Sequence, residues 1–479
     1  MTDTAMGANK LRKNSLGLVA VTFMVVSAAA PLTGVAGAMP LAFLLGNGAG
    51  IPATFVILTA VMLAFAAGYV AMSRHVTNAG AFYAYAARGL GGLAGGAVSM
   101  VALVSYNAMQ FGLIGLLGGA AAPTFAQFGL DLPWYVWSLI AILLVGILGY
   151  RQVDLSAKVL IVLVALEYLI VFVVDFAILG SVGAAGLNPG IMVDFGALNG
   201  GSLATALLFC LGCFIGIEAT TIYGEEAREP EKTVPQATYL SVLLIGVFFI
   251  FTTWLLVAGT GADKLVETLG AMPDPTVYFF EIAGQYAGGT VANIAGLLFV
   301  SSIFAAVSAF HNYIARYAYV AGREGLLPAA FGQTHDTHQS PHIGSVIQSV
   351  ASLIVLAIFA GLGLDPILNM FTWISQVGTL GVLGMMAVTS ISVIAFFAKG
   401  EAKGSPIQTM LLPIVAAGAM AWMFWYIYAN FGDLTGTTGG ALGWILPALI
   451  PAGAIVGVLL AMRLRSADPV AFARMGQNQ

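Results

Sequence analysis

The stretch Ser27-Ala28-Ala29-Ala30-Pro31-Leu32-Thr33-Gly34-Val35-Ala36-Gly37-Ala38-Met39-Pro40 lies inside the apolar run 16–46. A second stretch, Cys213-Phe214-Ile215-Gly216-Ile217-Glu218-Ala219-Thr220-Thr221, lies inside the run 200–224. Proline removes a backbone donor and glycine admits open conformations, so both stretches predict a helix that breaks partway along. In hydrocarbon such a break survives only where it lines a cavity or is covered by protein, because lipid satisfies no free N–H or C=O. Broken helices at matching places in two halves of a chain point to a transport site between them. At Gly68 or Gly115 glycine reads instead as helix packing.

The surrounding chain makes a membrane setting unavoidable. It has 479 residues, 59% apolar and 8% charged, with mean hydropathy +0.95. An ordinary soluble domain carries roughly 25% charge, so a soluble enzyme, a nucleic-acid binder and a disordered chain are excluded. A spanning helix needs about 20 mainly apolar residues. On that measure the runs 16–46, 52–72, 92–122, 134–150, 155–180, 200–224, 236–258, 288–320, 343–363, 366–398, 405–430 and 441–463 predict twelve spans. They are too long, and too apolar on every face, for a β-barrel. The first run follows Lys10, Arg12 and Lys13 and exceeds a signal-peptide core, so it reads as a spanning helix.

The basic residues give an independent check, since short cytoplasmic loops collect Lys and Arg. With twelve spans, the even-numbered loops share a side with both termini. Nearly all the basic residues fall there, including Arg74, Arg151, Arg228, Lys232, Arg323, Lys399 and Arg463. Lys264 falls opposite and Lys158 inside a span. A multi-pass plasma-membrane (inner-membrane) protein with both termini cytoplasmic is therefore expected. The loop 259–287, with Pro273 and Pro275, is expected to hold a short helix over the mouth, and the polar tail after Arg463 to be disordered. Cys210 and Cys213 read as small apolar side chains rather than a redox pair.

Three motifs now carry a family resemblance. Phe214-Ile215-Gly216-Ile217-Glu218, followed by Glu225-Glu226-Ala227-Arg228-Glu229-Pro230 and Val234-Pro235-Gln236-Ala237, resembles the span-6 signature of the amino acid–polyamine–organocation (APC) transporters. Asn78-Ala79-Gly80-Ala81-Phe82-Tyr83-Ala84-Tyr85 resembles that family's segment after span 2. The stretch from Arg316-Tyr317-Ala318 through Gly322-Arg323-Glu324-Gly325-Leu326-Leu327-Pro328 to Pro341 is similar to its loop after span 8. The resemblance implies an all-α polytopic protein of LeuT type. Its two inverted repeats of five spans would occupy 16–198 and 199–398, with peripheral spans over 399–463. A cytoplasmic segment 1–15 precedes them and a tail 464–479 follows, and spans 1 and 6 unwind at mid-membrane. One departure is that Pro31-Leu32-Thr33-Gly34-Val35-Ala36-Gly37 stands where many members have Gly-Ser-Gly.

Several residues should carry the chemistry. Lys158, early in span 5, is an ionisable group in hydrocarbon, which is expensive and normally functional, although its long stem would also let it snorkel. The resemblance implies that its ammonium stands in for a coupling sodium ion, bracing the carbonyls near Ala29 and Ala30 and carrying the proton. Glu218 is implied as a proton-sensing carboxylate, with a purely structural hydrogen bond as the alternative. Glu167 points away from the Lys158 face and is left open between a polar partner and a proton role. Asp175 is expected to meet water near the outer end. The positive end of a half-helix suits a substrate carboxylate, placed on Thr33, Gly34 and Val35, with carbonyls from Phe214, Ile215 and Gly216 accepting an α-ammonium. Asn107 and Phe310 match family positions touching the substrate side chain. Gly212 replaces a bulky aromatic gate of the arginine exchangers.

Ser301, Ser302, Ser308, His311 and Asn312 crowd span 8 as packing groups or a sodium-site lining, and His335, His338 and His342 read as a polar loop rather than a metal site. The reading is a secondary active permease and not an enzyme. It imports an amino acid by proton symport, with an exchanger or polyamine permease as the alternative. Its partners are a small-molecule amino acid or polyamine, protons and membrane lipid, with no nucleic acid, cofactor or metal. A channel lacks its filter loop, and an enzyme its nucleophile or metal cluster.

Overall fold

The computed structural model describes residues 16–76, 78, 80–151, 157–222, 227–400, 402–436 and 440–477. The segment 1–15 and the Glu225-Glu226 pair of the span-6 motif lie outside them. Among the described residues the chain is helical without a strand, and one backbone bridge joins Leu16 to Ala227.

The first apolar run forms α1 (Leu18–Ala29), a π-helical segment (Thr33–Ala38) and α2 (Met39–Leu45). Then come α3 (Ile51–Ser73), α4 (Phe82–Leu90), α5 (Gly92–Ala126), α6 (Trp134–Tyr150) and α7 (Ala157–Gly186). The run 200–224 divides into α8 (Leu203–Gly212) and α9 (Ala219–Ile222). After α10 (Pro230–Thr260) the loop expected to hold one short helix holds two, α11 (Leu265–Gly270) and α12 (Tyr278–Ala287). The chain continues through α13 (Gly289–Arg323), α14 (His342–Gly361) and a π-helical segment, Pro366–Ser375, that leads into α15 (Gln376–Ala398). The remaining helices are α16 (Leu412–Ala429), α17 (Gly432–Thr435), α18 (Ala441–Ala467) and α19 (Pro469–Ala473).

Among the described residues ten helices are long and apolar enough to cross a membrane, and Trp134–Tyr150 and Leu203–Gly212 are shorter apolar helices at the fourth and sixth runs. α5 runs through the middle, touching α4, α6, α13, α15, α18 and the 366–375 segment, while α3 packs on α10 and α16. Leu143, Ile147, Ile358, Trp425 and Leu459 are each more than half exposed. Such apolar outer faces suit hydrocarbon, not water.

Two expectations give way to packing. Asp175 is fully buried rather than wet, because α7 lies on α10 and Thr252 Oγ1 donates to its Oδ2 at 2.7 Å. The tail after Arg463 is ordered as far as Gln477: α18 continues to Ala467, α19 follows, and Met475 is buried. The Gly476 N–H donates to Glu324 Oε2 at 3.0 Å, and Asn78 Nδ2 donates to Gln477 O at 3.1 Å. Phe472 and Met475 supply the apolar contacts that dock this otherwise polar segment.

Candidate substrate site between two broken helices

α1 stops where Ala30 turns into the left-handed region, φ 46° and ψ 75°, just before Pro31. The chain then re-enters helix, so the N–H groups of its first residues have no carbonyl one turn back. Side chains from two other helices take them. Leu32 N–H donates to Glu167 Oε2 at 3.1 Å, and Thr33 N–H donates to Ser302 Oγ at 3.3 Å. The Thr33 hydroxyl donates to Ser302 Oγ at 2.9 Å, and Ser302 donates in turn to Glu167 Oε2 at 2.8 Å. The second half of span 1 therefore begins on a carboxylate from α7 and a hydroxyl from α13, where the positive end of a helix favours negative charge.

Residues 213–218 separate α8 from α9 as a run of turns. Phe214 N–H reaches Leu211 O at 2.9 Å and Ile215 N–H reaches Gly212 O at 3.2 Å, a tighter winding than an α-helix. Gly216 sits at φ +114°, which a residue with a Cβ rarely adopts. Its N–H donates to Glu218 Oε2 at 2.8 Å, and Tyr106 from α5 donates to Glu218 Oε1 at 2.9 Å. Tyr69 from α3 donates to the Glu218 carbonyl at 2.9 Å. A Cβ on Gly216 would come 2.9 Å from Ala28 Cβ, so the two breaks abut here.

Between the breaks lies a cavity of about 50 Å³. A water needs roughly 10–15 Å³ on this measure, so the space suits a few waters and the structure is closed down around it. Ala30, Thr33 and Gly34 line one wall; Gly212, Cys213 and Ile215 line another. α5 adds Met109 and Leu113, α13 adds Phe310, and the start of α15 with its π-helical lead-in adds Phe371, Ser375, Gln376 and Thr379. Phe310 packs on Tyr106 at 5.9 Å between ring centres, and Tyr106 on Tyr317 at 5.4 Å, so packed aromatic rings back the Phe310 wall.

Of the residues singled out in the sequence, Thr33, Gly34, Ile215, Phe310 and Gly212 meet at this cavity. Val35 and Phe214 are buried outside the lining, Phe214 against Phe55 at 6.2 Å. Gly216 lies at the contact with α1, and Glu218 is buried behind it with both carboxylate oxygens occupied. Gly34 N–H already bonds Ala30 O at 3.0 Å, so within Thr33–Val35 two amides have protein partners. The Asn107 amide donates to Leu103 O of its own helix at 2.7 Å. Two residues further on, Met109 lies about 200° around that helix and faces the cavity. Lys158 stands at the start of α7, but its side chain lies outside the described residues.

His311 is buried between Gln110, at 3.3 Å from Nδ1, and Ser345, at 2.7 Å from Nε2. His335, His338 and His342 gather around the Tyr150 ring instead of forming a ligand set. Glu167, open in the sequence between a polar partner and a proton role, has polar partners in Leu32 N–H and Ser302, whereas no motif marks the cavity wall formed by Phe371, Ser375, Gln376 and Thr379.

The amino acid permease family model matches residues 21–467. The low-affinity putrescine importer of Escherichia coli is 24% identical over 315 residues, covering 64% of this chain and 67% of the importer. The branched-chain amino acid permease of Bacillus subtilis is 22% identical over 227 residues, 47% of this chain and 45% of that permease. In fold the chain resembles a manganese transporter of Eremococcus coleocola, with TM-score 0.56 and 13% identity over 96% of this chain and 99% of that one. The chain belongs to the amino acid permease family, and its structural neighbours are transporters of the LeuT fold.

Proposed function

Taking permease membership as the premise, we propose that this protein imports an amino acid across the plasma membrane by proton symport, through alternating access around the central cavity. The observation that carries the reading is the meeting of two interrupted helices at one cavity: Ala30, Thr33 and Gly34 on one side, Gly212, Cys213 and Ile215 on the other. Half-helix ends of this kind present backbone dipoles to a charged cargo at the depth where side-chain charge is most expensive. The carboxylate of an amino acid would take the amides at Thr33, Gly34 and Val35, displacing Ser302 from Thr33 and the Ala30 carbonyl from Gly34. Its ammonium would take the carbonyls of Phe214, Ile215 and Gly216.

Twelve spans with both termini cytoplasmic, arranged as repeats over 16–198 and 199–398 plus the peripheral pair, complete the architecture. Lys158 in this reading replaces a coupling sodium ion, and Glu218 is the coupling carboxylate beside the second break. Alternating access fits a cavity this small, with the aromatic rings of Phe310, Tyr106 and Tyr317 packed on one side of it. Exchange, or transport of a polyamine, is the second reading, favoured by the likeness to the putrescine importer.

Uptake into proteoliposomes separates these. Import into cargo-free vesicles in sodium-free buffer, increasing with an inward proton gradient, is the expected outcome. Uptake that requires preloaded vesicles would replace symport by exchange. A Lys158→Ala variant with unchanged rate and pH dependence would remove that residue from the mechanism.

A further inference from the structure

The cavity wall contributed by span 10 has an unspent hydrogen-bonding group. Gln376 is 3% exposed and lines the cavity, yet its Oε1 has no hydrogen-bond partner among the described residues. Its Nε2 meets only Ser375 Oγ, at 3.5 Å. The neighbouring hydroxyls are already committed: Ser375 donates to Phe371 O at 2.6 Å and Thr379 to Ser375 O at 3.4 Å. A buried carbonyl oxygen without a donor costs stability, and at a cavity wall it is available to a donor that enters. Among the described residues no aspartate, glutamate, lysine or arginine lines the space. Glu167 and Glu218, the nearby acids, hold backbone amides and hydroxyls of the protein itself. A second cationic group on the cargo would therefore find no counter-charge here: beyond the neutral Thr33, Ser375, Gln376 and Thr379 the lining is mostly apolar, Met109, Leu113, Phe310 and Phe371 among it.

We propose that the Gln376 carboxamide is a cargo-binding group, and that the cavity selects a small neutral amino acid over a diamine or a basic amino acid. The inference rests on the permease reading and narrows it. Binding to the pure full-length protein, by thermal stabilisation and calorimetry, tests it with L-alanine, L-serine, L-lysine and putrescine as probes. The expected result is tighter binding of L-alanine or L-serine than of L-lysine or putrescine. Gln376→Leu should bind at least about tenfold more weakly, while its ligand-free melting temperature stays at or above that of the unaltered protein. Gln376→Asn should keep part of the affinity, and Gln376→Glu should shift preference toward putrescine. A structural role alone would lower the melting temperature of Gln376→Leu without changing the order of the probes. Tighter binding of putrescine or lysine by the unaltered protein, or unchanged affinity in Gln376→Leu, overturns the inference while the permease reading stands. If no probe binds and none enters proteoliposomes, the proposed import of an amino acid falls and this inference with it.

Discussion

Span 1 reopens after Pro31 with its freed amides taken by side chains from distant helices, Glu167 on α7 and Ser302 on α13. Span 6 opens over 213–218 and closes on itself, Gly216 N–H to the Glu218 carboxylate two residues on, with tyrosines from α3 and α5 steadying the turn. The first break depends on how three helices meet; the second is mostly written into one short segment. The comparison teaches that matching interruptions need not be matching devices. A break braced from outside reports on the packing of the bundle, whereas a self-clasped break can change shape while the bundle stays put.

Glu324, outside the spans, supplies a third case with the same parts. It accepts Gly476 N–H and the Tyr83 hydroxyl, as Glu167 accepts Leu32 N–H and Ser302, and Glu218 accepts Gly216 N–H and Tyr106. All three pair one backbone amide with one hydroxyl.

The largest expected effect is from Glu167→Leu, which strands two buried donors at the helix junction. Each stranded group costs about 1–3 kcal/mol, so the melting temperature in detergent and the folded yield should both fall sharply, and Glu167→Gln, which keeps an acceptor, should restore most of the loss. Glu218→Leu also strands two donors, Gly216 N–H and the Tyr106 hydroxyl, but inside one short turn that can rewind, so its melting loss should be the smaller of the two while cargo uptake falls by about tenfold or more, roughly 1.4 kcal/mol. Equal melting losses in the two variants would break the contrast drawn above.

Gly216→Ala comes next. Its φ of +114° is hostile to a Cβ, which would also press on Ala28. A loss of roughly 1–3 kcal/mol should appear as weakened cargo binding. Gly34→Ala should cost a comparable amount: its Cβ would come 2.4 Å from Phe249 Cζ, and that ring is buried and stacked on Phe55 at 4.9 Å.

The smallest effect is at Glu324. Burial raises its carboxyl above the usual carboxylate range, against the pull of the Tyr83 and Gly476 hydrogen bonds. An acid with a raised folded value favours the protonated form, so its contribution is full at acid pH and is lost as pH rises through that value. Hydrogen-exchange protection of Gly476, corrected for intrinsic rate, should therefore decline with rising pH, and Glu324→Gln should flatten the decline.

The helix interruptions at Ala30 and over 213–218 fall beside Pro31 and Gly216, which are backbone statements: a missing donor and a φ that few residues tolerate. Glu167 was ambiguous for a reason of geometry, since a lone acid on an apolar helix does not say which neighbour's amide it faces. Asn107 and Met109 differ by two residues and by most of a half-turn, so the residue chosen on span 3 depended on a helical phase the sequence leaves loose. Span 10 was missed more completely. Its π-helical stretch from Pro366 to Ser375 shifts the phase of the helix that follows and turns Ser375, Gln376 and Thr379 inward. Asp365, which accepts the Ile367 and Leu368 amides, marks where that stretch starts, but nothing in the sequence marks its wider winding. The docked tail is hard to read because its apolar residues, Phe472 and Met475 among them, are scattered among charged and polar ones and form no long run.

Cys210 and Cys213 are the only cysteines of the chain, and both are free and buried. Cys213 borders the cavity, while Cys210 does not. The unaltered protein thus carries its own chemical clock: a maleimide can alkylate Cys213 only during moments when a path from water reaches it. The labelling rate measures how often that path opens, added cargo should slow it, and Cys213→Ser provides the blank.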